Sequence, residues 1–127
     1  MAIERQTILV VDDEPAIQQL LVAILAPQGY VVLEARHAIH ALQLCEHYPD
    51  PIHLLLTDIV MPYMNGRDLA SYALAVRPQM HVLYMSGNDD GLLMQDLDLE
   101  EAVAFLQKPF SPGVLLQKVR DILGALG

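Results

Sequence analysis

The chain has 127 residues, of which 54% are hydrophobic and 18% are charged, and its formal net charge is −9. This length predicts a single domain over residues 1–127, and the composition excludes a disordered tail. An acidic domain lacks the basic surface that nucleic-acid binding requires. We therefore expect no nucleic-acid ligand, and instead cations or a partner protein with a basic face.

Neither a membrane anchor nor a secretory signal is expected from the sequence. No apolar run approaches the about 18 residues that a membrane-spanning helix needs. Residues 1–7 contain no apolar segment typical of a secretory signal. The single cysteine, Cys45, excludes an internal disulfide and is typical of a reducing compartment. Cytoplasm is the expected location.

Five short apolar runs have the length and composition of β-strands. Each is followed by a segment in which apolar residues recur at helical spacing. Alternating strands and helices favour right-handed crossovers and a parallel sheet. We therefore predict an α/β fold with three layers, in which helices cover both faces of a five-stranded sheet. The predicted strands are residues 7–11, 30–35, 52–57, 81–85 and 102–107.

The helices have recognisable boundaries. The first begins near Pro15 and is stopped by residues 26–29, and the third extends from about Gly66 to Val76. Ser111 and Pro112 form an N-cap and first-turn pair for the last helix. The apolar residues at helical spacing are Ile17, Leu20, Leu21, Ile24 and Leu25 in the first helix, Ala38, Ala41, Leu42 and Cys45 in the second, Leu92, Leu93, Met94 and Leu97 in a less regular fourth, and Leu115, Val119 and Ile122 in the last.

Polar residues follow four of the five predicted strands. Asp12 and Asp13 follow the first strand, Asp58 the third, Ser86 the fourth and Lys108 the fifth. In parallel α/β sheets, ligands bind beyond the carboxyl ends of the strands. We expect these side chains to converge at one edge of the sheet.

Each of these residues also has a purely structural interpretation. Acids at the start of a helix can stabilise its positive dipole end, so Asp12 and Asp13 can serve capping alone. Asp58 and Ser86 are common turn residues, and most lysines, such as Lys108, lie on the surface. The set is more informative than any member, because all four positions fall at equivalent strand ends.

The clustered acids predict a divalent cation. Two carboxylates about 5 Å apart repel by roughly 3 kcal/mol at an effective dielectric constant near 20, so three persist together only if a cation neutralises them. Oxygen ligands without His or Cys favour Mg²⁺, with Mn²⁺ as a substitute. A neighbouring lysine and hydroxyl would complete a pocket for a phosphoryl group, with one carboxylate as nucleophile.

The segments ILVVDDEP, LLLTDIVMPYMNGRDLA, VLYMSGND and FLQKPF resemble the receiver domain of bacterial response regulators over essentially the whole chain. The segments MNGRDLA, LYMSG and FLQKPFSP are most similar to those of receivers in hybrid sensor histidine kinases. The resemblance implies a flavodoxin-like (βα)₅ fold with strand order 2-1-3-4-5. It also implies a phosphoacceptor in a two-component system or phosphorelay, either as a single-domain regulator or as part of a hybrid kinase.

The resemblance assigns four positions to phosphoryl and metal binding. Asp58 matches the phosphoacceptor, which takes a phosphoryl group from a phosphohistidine or a small phosphodonor. Asp13 matches a direct metal ligand, and Asp12 matches a residue that supports the metal through water. The backbone carbonyl of Val60 matches a further ligand. The implied partners are a histidine kinase or a histidine phosphotransfer domain, and a downstream protein that the sequence does not identify.

Three further positions match family residues that bind the phosphoryl group or switch in response to it. Ser86 matches the hydroxyl that closes on the phosphoryl group, and Lys108 matches the lysine that pairs with that group. Phe105 matches the aromatic switch position, where the family commonly has Tyr, and would turn inward when the domain is phosphorylated. A plain core role for Phe105 is the alternative. A domain of this kind is not an enzyme, although it assists its own phosphorylation and dephosphorylation.

Departures from the family pattern suggest further expectations. Val60 and Asn88 flank the position from which water would attack the acyl phosphate, and an apolar Val60 cannot orient that water. We therefore expect a phosphorylated state that lasts minutes or longer. His37 and His40 are spaced like metal ligands, but no further ligand can be placed beside them, so a zinc site is not expected.

Two other functions remain open at this stage. A haloacid-dehalogenase-like phosphatase would need an acid two residues after Asp58, where this chain has Val60. A receiver that no longer accepts a phosphoryl group would act only in docking or dimerisation. The candidate docking surface for a basic partner is an acidic segment, for which a plain solvated face is the alternative. Its acidic residues are Asp89, Asp90, Asp96, Asp98, Glu100 and Glu101.

Overall fold

A parallel sheet forms the centre of the protein. The computed structural model describes residues 5–61, 64–87 and 105–124. Neighbouring strands are parallel, and their order is β2-β1-β3-β4-β5. The predicted α/β fold and strand order are confirmed. The strands are β1 (Thr7–Val11), β2 (Val31–Ala35), β3 (Leu54–Asp58), β4 (His81–Ser86) and β5 (Phe105–Gln107).

Helices follow the strands and begin and end close to the predicted residues. Gly29, at φ 97°, ends the 3₁₀ turn Ala26–Gln28 that follows the first helix. Ser111 Oγ accepts a hydrogen bond from Val114 N–H at 3.2 Å, which confirms the predicted N-cap. Within the described residues, no helix has the length and apolarity to span a membrane. The described helices are α1 (Pro15–Leu25), α2 (Ala38–His47), α3 (Gly66–Val76) and α4 (Pro112–Leu123).

Two apolar layers enclose the sheet, because side chains of a strand point alternately to its two faces. Ile8 and Val10 pack with α1 and α4, whereas Leu9 and Val11 pack with α2 and α3. All five residues of β1 are buried, as are all five of β3. The continuous apolar runs in the sequence therefore correspond to strands covered on both faces.

Strand boundaries differ from the prediction by one or two residues. The second strand begins at Val31, and the third begins at Leu54 rather than residue 52. Asp58 belongs to β3 because it pairs with Met85 of β4, and Ser86 is the last residue of β4. Residues 102–104 of the predicted fifth strand lie outside the described residues. The same holds for Asn88, for the acidic segment and for the irregular helix predicted around Leu92 to Leu97, which is distinct from α4.

The inner face of α1 differs from the apolar pattern. Leu21 and Leu25 are buried, as the spacing suggests, but Leu20 is 42% exposed. Gln18 is instead almost fully buried against the sheet. Its amide donates hydrogen bonds to backbone carbonyls, which offsets the cost of burying a polar group.

Arg77 joins the carboxyl ends of α2 and α3. Its Nε donates to Cys45 O at 2.7 Å, its Nη1 to Asp50 O at 2.9 Å and its Nη2 to Tyr48 O at 2.5 Å. Helices end with carbonyls that have no partner within the helix, and the guanidinium satisfies two of them together with a turn carbonyl.

We expect Arg77→Lys to lower the free energy of unfolding by about 1–2 kcal/mol, since an ammonium cannot reproduce the planar fork of donors. Urea denaturation would measure the change. Arg36→Lys, at an exposed position, is the matched control and should change stability by less than about 0.5 kcal/mol. Equal effects of the two substitutions would contradict the proposed stabilisation by Arg77.

Candidate functional site

The polar residues predicted to converge do so at the carboxyl edge of the sheet. Asp12 and Asp13 follow β1, Asp58 and Ser86 are the last residues of β3 and β4, and Lys108 follows β5. One carboxylate oxygen from each of the three aspartates lies within 4.8 Å of the others. The acids are thus close enough to share one cation.

Lys108 lies between two of the three carboxylates. Its Nζ donates to Asp12 Oδ2 at 2.9 Å and to Asp58 Oδ2 at 3.0 Å. Only 15% of the Lys108 side chain is exposed, and its backbone N–H donates to Ser86 O at 2.7 Å. The surface-lysine interpretation is therefore wrong, because this ammonium is held by the buried acids.

Asp12 and Asp13 differ in their surroundings. Asp12 is fully buried, and its Oδ1 accepts a hydrogen bond from Glu14 N–H at 2.8 Å. The N-cap of α1 is Glu14, and this residue makes no side-chain capping bond. Asp13 is exposed. Since neither aspartate occupies the N-cap position, capping alone does not explain the pair.

Asp58 lies in an environment that disfavours its own charge. Burial raises the pKa of the Asp58 carboxyl, and the neighbouring Asp12 charge raises it further. The hydrogen bond and charge of Lys108 oppose this rise in pKa, as does a hydrogen bond from the Val60 backbone. The net direction is upward, so Lys108 does not fully compensate the buried carboxylate.

Lys108 shows the complementary effect. Burial alone would lower the pKa of the Lys108 ammonium, but its hydrogen bonds to Asp12 and Asp58 raise that pKa above its ordinary value. Lys108 thus stays protonated next to acids that still favour additional positive charge. Oxygen-only ligands, one of them open to solvent at Asp13, fit a hard divalent cation such as Mg²⁺.

The start of α3 fixes the backbone that follows Asp58. Gly66 N–H donates to Ile59 O at 2.7 Å, and Asn65 Oδ1 caps the helix by accepting from Asp68 N–H at 2.8 Å. A Cβ at Gly66 would lie 2.1 Å from Asp58 O. Only glycine permits this approach, a requirement that the sequence did not reveal.

Val60 lies beside the acids on the solvent side. Its side chain is 46% exposed although it is apolar, whereas the neighbouring Ile59 and Met61 are buried. This placement is compatible with the two predicted roles of Val60, as a backbone ligand and as an apolar neighbour of the phosphoryl group. Both roles stay predictions.

The predicted switch residues lie on neighbouring strands. Ser86 is buried and pairs with Gln107 of β5. Phe105 is half-buried, and its ring contacts that of Tyr84, with centroids 5.7 Å apart and planes inclined by 37°. Tyr84 and Phe105 are partners in the strand register, a contact that the sequence pattern did not predict. Whether Phe105 moves stays a prediction.

His37 has a structural function at the start of α2. Its Nδ1 accepts a hydrogen bond from His40 N–H at 3.2 Å, so His37 is the N-cap of this helix. Among the described residues, the three aspartates are the metal-ligating cluster that is found. The spacing of the two histidines is therefore accounted for by capping.

Comparisons with known proteins show what the chain is similar to. The profile of the family described as the response regulator receiver domain matches residues 8–120. The chain is 31% identical to the sensor kinase CckA of Brucella abortus over 92% of this chain, and 31% identical to the response regulator receiver protein CpdR of the same organism over 91%. It spans 12% of the length of CckA, 48% of the transcriptional regulatory protein AruR of Pseudomonas aeruginosa, and 95% of CpdR.

Solved structures show the same fold. The receiver domain of the hybrid histidine kinase CckA superposes with a TM-score of 0.77 at 30% identity, covering 92% of this chain and 98% of that one. A CheY-like receiver domain protein of Methanospirillum hungatei superposes with a TM-score of 0.80 at 31% identity, covering 94% of each chain. With its strand order and its clustered aspartates beside a buried lysine, the chain belongs to the response regulator receiver domains of two-component systems.

Proposed function

We propose that this chain accepts a phosphoryl group on Asp58 from a phosphohistidine and thereby changes its protein-binding face. The observation that carries the proposal is the buried Asp58 carboxylate, which shares Lys108 with Asp12 while Asp13 lies open to solvent beside them. Such a site holds a nucleophile rigidly and places positive charge where a phosphoryl group would bring negative charge.

In the proposed reaction, an oxygen of Asp58 attacks the phosphorus of the donor. The P–N bond of the phosphohistidine breaks as the new P–O bond forms, and the electron pair of the broken bond stays with the imidazole. Lys108 pairs with the transferred group, and the Ser86 hydroxyl moves toward it. Asp13, Asp58 and the Val60 carbonyl would hold Mg²⁺ directly, with Asp12 acting through water. Mg²⁺ would neutralise charge on the phosphoryl oxygens.

Conformational output would follow from the movement of Ser86. Because β4 and β5 are paired at Ser86 and Gln107, displacement of the end of β4 would also affect the Tyr84–Phe105 contact two residues earlier. Phosphorylation would bias an existing equilibrium between two conformations. The expected donor is a histidine kinase or a histidine phosphotransfer domain. We also propose that the domain works in the cytoplasm and does not turn over an external substrate.

The same receiver can serve alone or as part of a longer protein. CpdR is matched over nearly its whole length, and CckA over a small part. We propose that residues 1–127 form one receiver domain in either arrangement. The core contacts from β1 to α4 support this extent, because they join the first and last described elements.

Intact-mass spectrometry after incubation with acetyl phosphate tests the proposal. We expect a single phosphoryl adduct in the presence of Mg²⁺ and none after the metal is removed with EDTA. Absence of an adduct both with acetyl phosphate and with a phosphorylated histidine donor would contradict the proposed function. Steady release of phosphate from a small phosphomonoester would indicate the phosphatase alternative instead.

Val60 predicts a slow loss of the phosphoryl group. Its exposed apolar side chain cannot orient an attacking water, whereas an amide at this position can. We therefore expect Val60→Asn to shorten the lifetime of the adduct by about tenfold or more, within the range of general acid–base effects. The lifetime is measured by intact mass after removal of the donor, with Val114→Asn, at another exposed valine, as the matched control. An unchanged decay rate in Val60→Asn would remove this explanation.

A further inference from the structure

Gln18 is a buried polar residue in the inner face of α1. Its side chain occupies a position at which Leu21 and Leu25 continue an apolar stripe, and only 3% of the residue is exposed. An apolar side chain of similar length would fill this volume without the cost of burying an amide. The hydrogen bonds made by the amide indicate what the glutamine contributes instead.

The amide of Gln18 contacts β1 and β2 near their carboxyl ends, close to the start of Asp12 and Asp13. Its Nε2 donates to Ala35 O, the last residue of β2, at 2.8 Å, and to Val10 O in β1 at 3.4 Å. Ala35 O also accepts a hydrogen bond from Asp12 N–H at 3.3 Å. One carbonyl therefore receives both the Gln18 amide and the backbone of a predicted metal-binding aspartate.

The backbone of Asp12 lies immediately beyond the ladder between β1 and β2. The register between β1 and β2 ends at the pair Val11 and Ala35, so Asp12 is the first residue beyond the ladder. Its carboxylate is held by Lys108 and by Glu14 N–H, and its own N–H depends on the Ala35 carbonyl. Gln18 and the backbone of Asp12 thus share the Ala35 carbonyl as acceptor, at the point where the ladder between β1 and β2 ends.

We propose that Gln18 is a positioning residue for the divalent cation, acting through the Ala35 and Val10 carbonyls on the backbone of Asp12 and Asp13. The inference rests on the proposed function, since it assumes that these aspartates bind Mg²⁺. Residues that orient metal ligands without touching the metal typically change metal affinity by about 10–100-fold when they are replaced. A residue that only fills space would alter stability and leave that affinity unchanged.

The chain offers a matched control at the next position. Gln18 and Gln19 both line a cavity of about 350 Å³ between α1, the end of β2 and the start of α2, but Gln19 is exposed. Gln18→Met removes the amide with little change in length, and Gln19→Met makes the same chemical change without loss of the buried bonds. Calorimetric titration with Mg²⁺ measures affinity directly, with no phosphodonor present.

We expect Gln18→Met to weaken Mg²⁺ binding by about tenfold and Gln19→Met to leave it within about twofold of the wild-type value. Melting temperatures in EDTA separate this effect from stability. Gln18→Asn is a second variant that retains an amide but withdraws it from Ala35 O, and it decides the question if Gln18→Met does not fold. We expect it to weaken binding as well.

Each outcome is informative. A folded Gln18→Met or Gln18→Asn protein with wild-type Mg²⁺ affinity would overturn the role of Gln18 and leave the proposed function intact, whatever the change in melting temperature. A wild-type chain that binds no Mg²⁺ would overturn both. Equal weakening in Gln18→Met and Gln19→Met would also reject the positioning role, because Gln19 makes no contact of this kind.

Discussion

Replacing Asp58 with asparagine is expected to abolish the phosphoryl adduct and, in EDTA, to raise the melting temperature of the protein. The first effect follows because a neutral amide oxygen is not the nucleophile that the proposed reaction requires. The second follows from the surroundings of Asp58, which raise its pKa chiefly by burial. One substitution would thus remove the activity and stabilise the fold.

The sign of the stability effect follows from proton linkage. Because the pKa of Asp58 is raised above its ordinary value, the folded state holds the proton to a higher pH than the unfolded state does. Stability is therefore lost as the pH rises through the interval between the unfolded and folded pKa values, and the ionised carboxylate is unfavourable at neutral pH. Asparagine removes this charge, while its oxygen can still accept a hydrogen bond from Lys108.

Thermal denaturation at neutral pH in EDTA, together with intact-mass spectrometry in Mg²⁺, measures both effects. Asp13→Asn is the matched control, because Asp13 belongs to the same cluster but is exposed. It should also lose most of the adduct through loss of a proposed metal ligand, but its gain in melting temperature should be smaller. An adduct of wild-type yield in Asp58→Asn, or a lower melting temperature in EDTA, would contradict the assignment of Asp58 as a buried phosphoacceptor.

The features that sequence predicted best depend on strand order alone. Once β1, β3 and β5 are recognised as parallel strands, the residues at their carboxyl ends must share an edge, and Asp12, Asp58 and Lys108 do so. The burial of Lys108 was less certain, because a lysine in isolation is usually exposed. Lys108 is buried because its ammonium is held by Asp12 and Asp58, which are distant from it in the sequence.

Features that depend on the rotation of a helix about its axis, or on the register between two strands, are harder to predict from sequence. The helical spacing in α1 predicts that Leu20 and Leu21 are both buried. Only packing determines that Gln18 faces the sheet while Leu20 faces solvent. The contact between Tyr84 and Phe105 requires the register of β4 and β5, which no local pattern supplies. Periodicity thus identifies a helix or strand more reliably than the side chains it directs inward.

Gly66→Ala is expected to destabilise the fold and to remove most of the phosphorylation. A Cβ at this position would lie 2.1 Å from Asp58 O and 3.1 Å from the Cα of Ile59, and both are backbone atoms that cannot rotate away. Either α3 or the end of β3 must shift to admit the methyl group. We expect a loss of about 3 kcal/mol or more in the free energy of unfolding, at the upper end of overpacking effects.

Gly113→Ala distinguishes this effect from a general consequence of replacing glycine. Gly113 lies in the first turn of α4, and a Cβ there would meet no heavy atom within 4 Å. Alanine should therefore be neutral or stabilise the helix by up to about 1 kcal/mol. Urea denaturation of both variants gives the stabilities, and intact-mass measurement at a temperature where both are folded gives the rate of adduct formation. If Gly66→Ala were as stable and as rapidly phosphorylated as Gly113→Ala, the approach of α3 to the Asp58 carbonyl could not be what fixes the proposed phosphoacceptor in place.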